Sequence, residues 1–145
     1  LISRGYLPSN MASYRQTMLC CFDIETLEEK CSSDTVANTT QEANQLIVSL
    51  AVGSNIPDTE PKFLARETSD AVCELNLIKQ FVGELEYLHA KFIKLIPSAI
   101  IDAHAKLTAE IADTKFSKTQ TRKMEMKSFL ESYTKLPIYA FNGCK

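Results

Sequence analysis

Residues 17–26, TMLCCFDIET, are the stretch from which the rest of the chain is best interpreted. The almost unbroken apolar run 17–23 predicts a strand that is buried on both faces. Side chains alternate along a strand, so Asp23 and Glu25 are predicted to project from one face at its end. The sequence therefore predicts two neighbouring carboxylates at the tip of a core strand.

This carboxylate pair suggests a metal site. Two carboxylates this close repel each other, and burying them without a counter-charge is costly. A divalent cation removes the conflict, and hard oxygen ligands suit Mg²⁺ or Mn²⁺. Metals held in this way serve phosphodiester hydrolysis, usually as a pair about 3.5–4 Å apart. A solvated surface pair is the alternative, because Asp-x-Glu is common at strand ends.

Three further strands are predicted from apolar runs bounded by turn residues. Residues 45–53 (QLIVSLAVG) and 62–66 (KFLAR) follow the first strand closely, which favours an antiparallel meander. The polar residues 28–44 are predicted to be a loop. Residues 136–141 (LPIYAF) form the fourth predicted strand, and residues 1–17 are interpreted as a lead-in segment.

Three helices are predicted between the third and fourth strands. The first begins after the capping residues Ser69 and Asp70 and ends near Ile96, because Pro97 follows. The second is predicted from Ser98 to about residue 113, and the third from about 119 to 133. The first carries an apolar stripe at steps of three or four, which predicts packing against a core: Leu77, Phe81, Leu85, Leu88, Phe92 and Leu95. Strands followed by helices and a further strand indicate an α/β or α+β plan.

Composition and charge narrow the class of protein. The 145 residues carry a net charge of −2, so the chain as a whole is no basic nucleic-acid clamp. No apolar run approaches the roughly 18 residues of a membrane span. The five cysteines have no Cys-x-x-Cys spacing, which favours reduced thiols in an intracellular protein. Because the sequence begins with Leu1 and ends at Lys145 without a cap signal, we interpret it as an excerpt.

At two places the sequence resembles family B DNA polymerases. Phe22-Asp23-Ile24-Glu25-Thr26 resembles the first motif of their 3′–5′ proofreading exonuclease domain, and residues 139–145 (YAFNGCK) look like the opening of the second motif. Residues 46–55 also resemble the family's second strand. The long helical stretch 69–135 is similar to that of the protein-primed branch found in viruses, organellar plasmids and Polinton or Maverick elements.

The resemblance implies an RNase H-like (DnaQ-type) mixed sheet with a long helical insertion between its third and fourth strands. Residues 18–145 would then be a partial exonuclease domain, truncated in the second motif. Asp23 and Glu25 would be catalytic ligands of a two-metal Mg²⁺ or Mn²⁺ site that residues outside this sequence complete. Thr26 and Asn142 would bind the DNA primer 3′ end, and a terminal protein primer is a possible partner. By this interpretation, the chain alone would be inactive.

Two other classes of function stay open. One is a stand-alone metal-dependent 3′–5′ exonuclease of the same fold, and the other is a non-catalytic helical interaction protein with an accidental Asp-x-Glu pair. Among other candidates, His89 and His104 are interpreted as solvated or capping side chains. Residues 115–135 carry six basic residues against two acidic ones. That stretch could contact a DNA backbone or a terminal protein, with a solvated helix face as the alternative.

Overall fold

The computed structural model of this chain describes residues 1–29, 44–68 and 71–141. Most of the predicted loop 28–44, the capping residues Ser69 and Asp70, and Asn142 lie outside these ranges. The described residues contain four strands and three α-helices. They form two compact units, a sheet unit of residues 19–29, 44–68, 71–88 and 138–141 and a helical unit of residues 1–18 and 89–137.

The sheet unit confirms the predicted four-stranded mixed sheet. Its strands are β1 (Cys20–Glu29), β2 (Asn44–Ser54), β3 (Lys62–Ala65) and β4 (Ile138–Phe141). Their order is β3-β2-β1-β4. The first three are antiparallel neighbours, as the predicted meander required, whereas β4 is parallel to β1.

Two details of β1 differ from the sequence prediction. The strand begins at Cys20 and continues to Glu29, because β2 pairs with it as far as Glu29 opposite Asn44. The prediction of burial on both faces is wrong for the described residues: Cys20 is fully buried, while its neighbour Cys21 is exposed. An apolar run shows that a strand suits the core, but it does not show how many faces are covered.

Helix α1 (Ala71–Leu95) contributes its first part to the sheet unit. The ring of Phe81 packs edge-on against Phe22 at 5.3 Å between centroids. Leu50 and Val52 of β2 are 2% exposed, and Leu77 of α1 is 3% exposed. These side chains form the core of the sheet unit, between one face of the sheet and α1. Because side chains alternate along β1, Cys20 and Phe22 point into this core, and Cys21 and Asp23 point away from it.

The helical unit contains the last residues of α1, then α2 (Ser98–Asp113) and α3 (Ser117–Thr134). The bounds of α2 are those predicted, and Pro97 both follows α1 and precedes α2. Fully buried side chains from each helix form its core: Phe92, Ile100, Leu107 and Leu130. The lead-in segment belongs to this unit and contains a short 3₁₀ turn, Ser9–Met11. None of the helices in the described ranges has the length and apolar character needed to cross a bilayer.

Candidate functional site

Asp23 lies in the middle of the sheet unit. Its strand β1 has β2 on one side and β4 on the other. Asp23 is in register with Ala51 of β2 and with Phe141, the last residue of β4. Because β1 and β4 are parallel, the end of β4 meets β1 at the level of Asp23.

One oxygen of the Asp23 carboxylate is buried and unpartnered. Its Oδ1 atom is closed off from solvent and has no hydrogen-bond partner among the described residues. Almost all buried polar atoms in proteins are hydrogen-bonded, and an exception calls for an explanation such as a bound ion, a water molecule or a catalytic role. One oxygen of the half-buried Asp23 is thus buried, whereas the alternative of a solvated surface pair would expose it.

Glu25 lies two residues further along β1, opposite Ser49, and its side chain is exposed. It shares the face of β1 that carries Asp23, because side chains alternate. The register shifts between Glu25 and Thr26. Thr26 is exposed, and alternation places it on the opposite face from the two carboxylates. Asn142 follows Phe141 in sequence but lies outside the described residues.

Ala51 lies opposite Asp23 on β2, and two exposed aromatic rings lie at the same level of the sheet. Gly53 lies opposite Cys21, and a Cβ atom at Gly53 would be 3.7 Å from the Cys21 sulfur. Through the register of the strands, Phe63 of β3 and Phe141 of β4 lie at the same level of the sheet as Asp23. Their side chains are 80% and 70% exposed. Sequence reasoning assigned these rings to strands but gave them no role at the site. The only available signal was that Phe141 precedes Asn142.

The donor set of this face fits a hard divalent cation in kind but is incomplete in number. Carboxylate oxygens are the ligands that Mg²⁺ and Mn²⁺ prefer, and no hydrogen bond from the described residues competes for the Asp23 Oδ1 atom. Within residues 1–29, 44–68 and 71–141, however, no group of three or more His, Cys, Asp or Glu side chains could hold a metal ion. Further ligands would have to come from outside these ranges.

The other candidate residues lie in the helical unit and in ordinary surroundings. His104 Nε2 lies 3.2 Å from Glu131 Oε1, and the ring of His89 lies 6.4 Å from that of Phe92. Part of the basic charge of residues 115–135 is neutralised by ion pairs, since Lys123 contacts Glu110 at 3.0 Å and Lys127 contacts Glu131 at 3.8 Å.

Comparison with known proteins adds no relative. No protein-family model, curated protein or solved structure matches this chain.

Proposed function

We propose that this chain carries the first part of a metal-dependent 3′–5′ exonuclease domain of a family B DNA polymerase, with Asp23 and Glu25 as two of its metal ligands. The observation that carries the proposal is the Asp23 carboxylate, whose buried Oδ1 has no partner among the described residues. A bound ion and a catalytic role are among the explanations that such an atom calls for.

The fold supports the proposal at a coarse level. An RNase H-like domain needs a mixed sheet, and this chain has one, with β4 parallel to β1 and three helices between β3 and β4. The carboxylate pair lies on β1, which has a neighbouring strand on each side. A rigid strand within a sheet holds catalytic side chains in position better than a mobile loop does.

The chemistry assigned to each residue follows from its surroundings. Asp23 and the exposed Glu25 would hold a cation between them, because both carboxylates lie on the same face of β1. When bound, divalent cations supply the positive charge that activates a water molecule and stabilises the leaving oxygen. The exposed ring of Phe141 on the strand next to Asp23, and that of Phe63 two strands away, offer flat apolar surfaces, and unpaired bases stack on such surfaces.

Substitution of the carboxylates in the full-length protein tests the proposal. Asp23→Asn together with Glu25→Gln keeps the shapes of both side chains and removes both charges. This variant should lose degradation of single-stranded 3′ ends and retain DNA synthesis. A matched control is Asp58→Asn with Glu60→Gln, which alters two exposed acidic residues of the same spacing elsewhere in the sheet unit. Normal degradation by the first variant, or equal loss in both, would refute the assignment.

A separate observation distinguishes a polymerase from a stand-alone exonuclease. If the reading frame continues past Lys145 with an aromatic residue and an aspartate, and later with a polymerase palm motif, the polymerase assignment holds. If the reading frame lacks a palm motif but retains the carboxylate-dependent nuclease activity, the protein is a stand-alone exonuclease.

A further inference from the structure

A cleft of about 890 Å³ lies in the helical unit, between the lead-in segment and helices α2 and α3. Its floor includes Ile100 and Leu130, which are 1% and 0% exposed. Met11, Met126 and Phe129 also line it, so its surface is mainly apolar. Small-molecule sites typically measure about 300–1,000 Å³ and have this apolar character. A packing defect would be far smaller, because protein interiors contain few voids larger than a water molecule.

The lead-in segment that forms one wall of the cleft is fixed in place by side-chain contacts. The Tyr6 hydroxyl donates a hydrogen bond to the Glu110 carboxylate of α2. The Lys106 ammonium lies 5.1 Å from the centre of the Tyr6 ring. Further along, Gln16 Nε2 donates to the Lys135 carbonyl oxygen beyond the end of α3, at 3.5 Å. These contacts hold the wall against the helices, so the cleft is part of the folded unit.

Positive charge surrounds this apolar surface. Arg4, Arg15 and Arg122 all line the cleft, against the single acid Glu125. Arg15 donates to the carbonyl oxygens of Ala12 and Tyr14. Within the described part of the chain, no acidic side chain forms an ion pair with Arg4 or Arg122, so no carboxylate competes with an anion for these two guanidinium groups. Guanidinium matches the geometry of carboxylate, phosphate and sulfonate oxygens.

We propose that this cleft is a binding site for a small amphipathic anion. Its apolar body would contact Met126 and Phe129, and its anionic group would bind Arg4 and Arg122. A single nucleic-acid strand fits less well, because the rings of Tyr14 and Tyr133 pack against each other at 5.8 Å and the floor is aliphatic. The inference uses only the helical unit and does not rest on the proposed exonuclease function.

Two fluorescent probes test the site in the 145-residue chain. 8-Anilinonaphthalene-1-sulfonate is an amphipathic anion, and N-phenyl-1-naphthylamine has the same rings without the sulfonate. Wild-type protein should bind the anion saturably at one site, and laurate should displace it. Arg4→Gln with Arg122→Gln should raise the Kd of the anionic probe about tenfold or more, since hydrogen bonds to charged groups are lost. The neutral probe should change by less than about twofold, because its apolar contacts remain.

Matched variants separate the cleft from general effects. Lys115→Gln with Lys118→Gln removes the same charge from residues that do not line the cleft and should change neither affinity. Ala12→Trp fills the cleft and should weaken both probes, whereas Ser13→Trp alters a neighbour outside the lining and should weaken neither.

Three results would overturn the proposal. The first is absence of saturable binding of the anionic probe. The second is equal weakening of both probes by the arginine substitutions, which would mean that the arginines only maintain the shape of the cleft. The third is displacement of the probe by an acidic amphipathic peptide but not by laurate, which would assign the cleft to a protein partner.

Discussion

Replacing Asp23 with alanine should stabilise the protein in the absence of divalent cations. The buried Oδ1 atom has no partner among the described residues, and an unsatisfied buried polar group costs about 1–3 kcal/mol. Alanine removes that group, and its neighbour Ala51 in the same row is also small. We expect a net gain of about 1 kcal/mol, which raises Tm by about 2–4 °C for a chain of this size. Most substitutions destabilise a protein, so the sign of the change is diagnostic.

Thermal unfolding followed by far-ultraviolet circular dichroism measures this effect. In EDTA, the Tm of Asp23→Ala should lie above that of the wild type. Glu25 is exposed, so Glu25→Ala should change the free energy of unfolding by less than about 0.5 kcal/mol relative to the wild type. Addition of Mn²⁺ should then stabilise the wild type, by about 1.4 kcal/mol at ten times the Kd. The same addition should leave Asp23→Ala unchanged.

Either of two results would contradict this reasoning. If Asp23→Ala lowers the Tm in EDTA by several degrees, Asp23 is a structural residue with a stabilising partner outside the described ranges. If Mn²⁺ stabilises wild type and Asp23→Ala equally, the ion binds elsewhere and Asp23 is not its ligand.

Two further predictions concern charged pairs. The hydrogen bond that Tyr6 donates lowers the pKa of the Glu110 carboxyl, and the hydrogen bond from Lys123 lowers this pKa further. A carboxylate with a lowered pKa in the folded state stabilises the fold above the ordinary glutamate range and loses that effect as pH falls through the folded pKa. When helicity is measured as the pH is lowered, Glu110→Gln should therefore lose helicity less steeply than the wild type. In the sheet unit, Lys62 pairs with the 8% exposed Glu84 at 3.2 Å. Lys62→Met should cost about 1–2 kcal/mol in urea unfolding, and adding Glu84→Leu should recover most of it.

The order of strands and helices could be predicted because each depends on local sequence signals. Because a proline disrupts a helix interior, Pro97 predicted the end of one helix and the start of the next. In the structure, Pro97 follows α1 and precedes α2. Apolar runs between turn residues located the strands. The length of β1 could not be found in this way, because its polar end is held by pairing with β2 as far as Asn44. Backbone hydrogen bonds between strands do not depend on side-chain polarity.

The common face of Asp23 and Glu25 could also be predicted, because it follows from the period of a strand. Their different burial could not. Asp23 has a strand on each side at its level, with Ala51 and Phe141 as its register partners, whereas Glu25 is exposed. That difference arises from β4, which is more than 100 residues away in sequence. A two-residue motif contains no information about such a neighbour.

The cleft in the helical unit was not predicted, for a related physical reason. Its walls come from the lead-in segment and from α3, so Met11 and Met126 line one cavity although they are distant in sequence. Each residue alone has an ordinary explanation: Met126 belongs to a helix, and Arg4 to a lead-in segment of mixed composition. Only folding places apolar side chains and unpaired arginines around one space. The carboxylate pair and the cleft thus differ in origin, since a single strand creates the first and tertiary packing creates the second. Sequence patterns can therefore propose the chemistry of the sheet unit, whereas the ligand class of the cleft has to be inferred from its shape and charge.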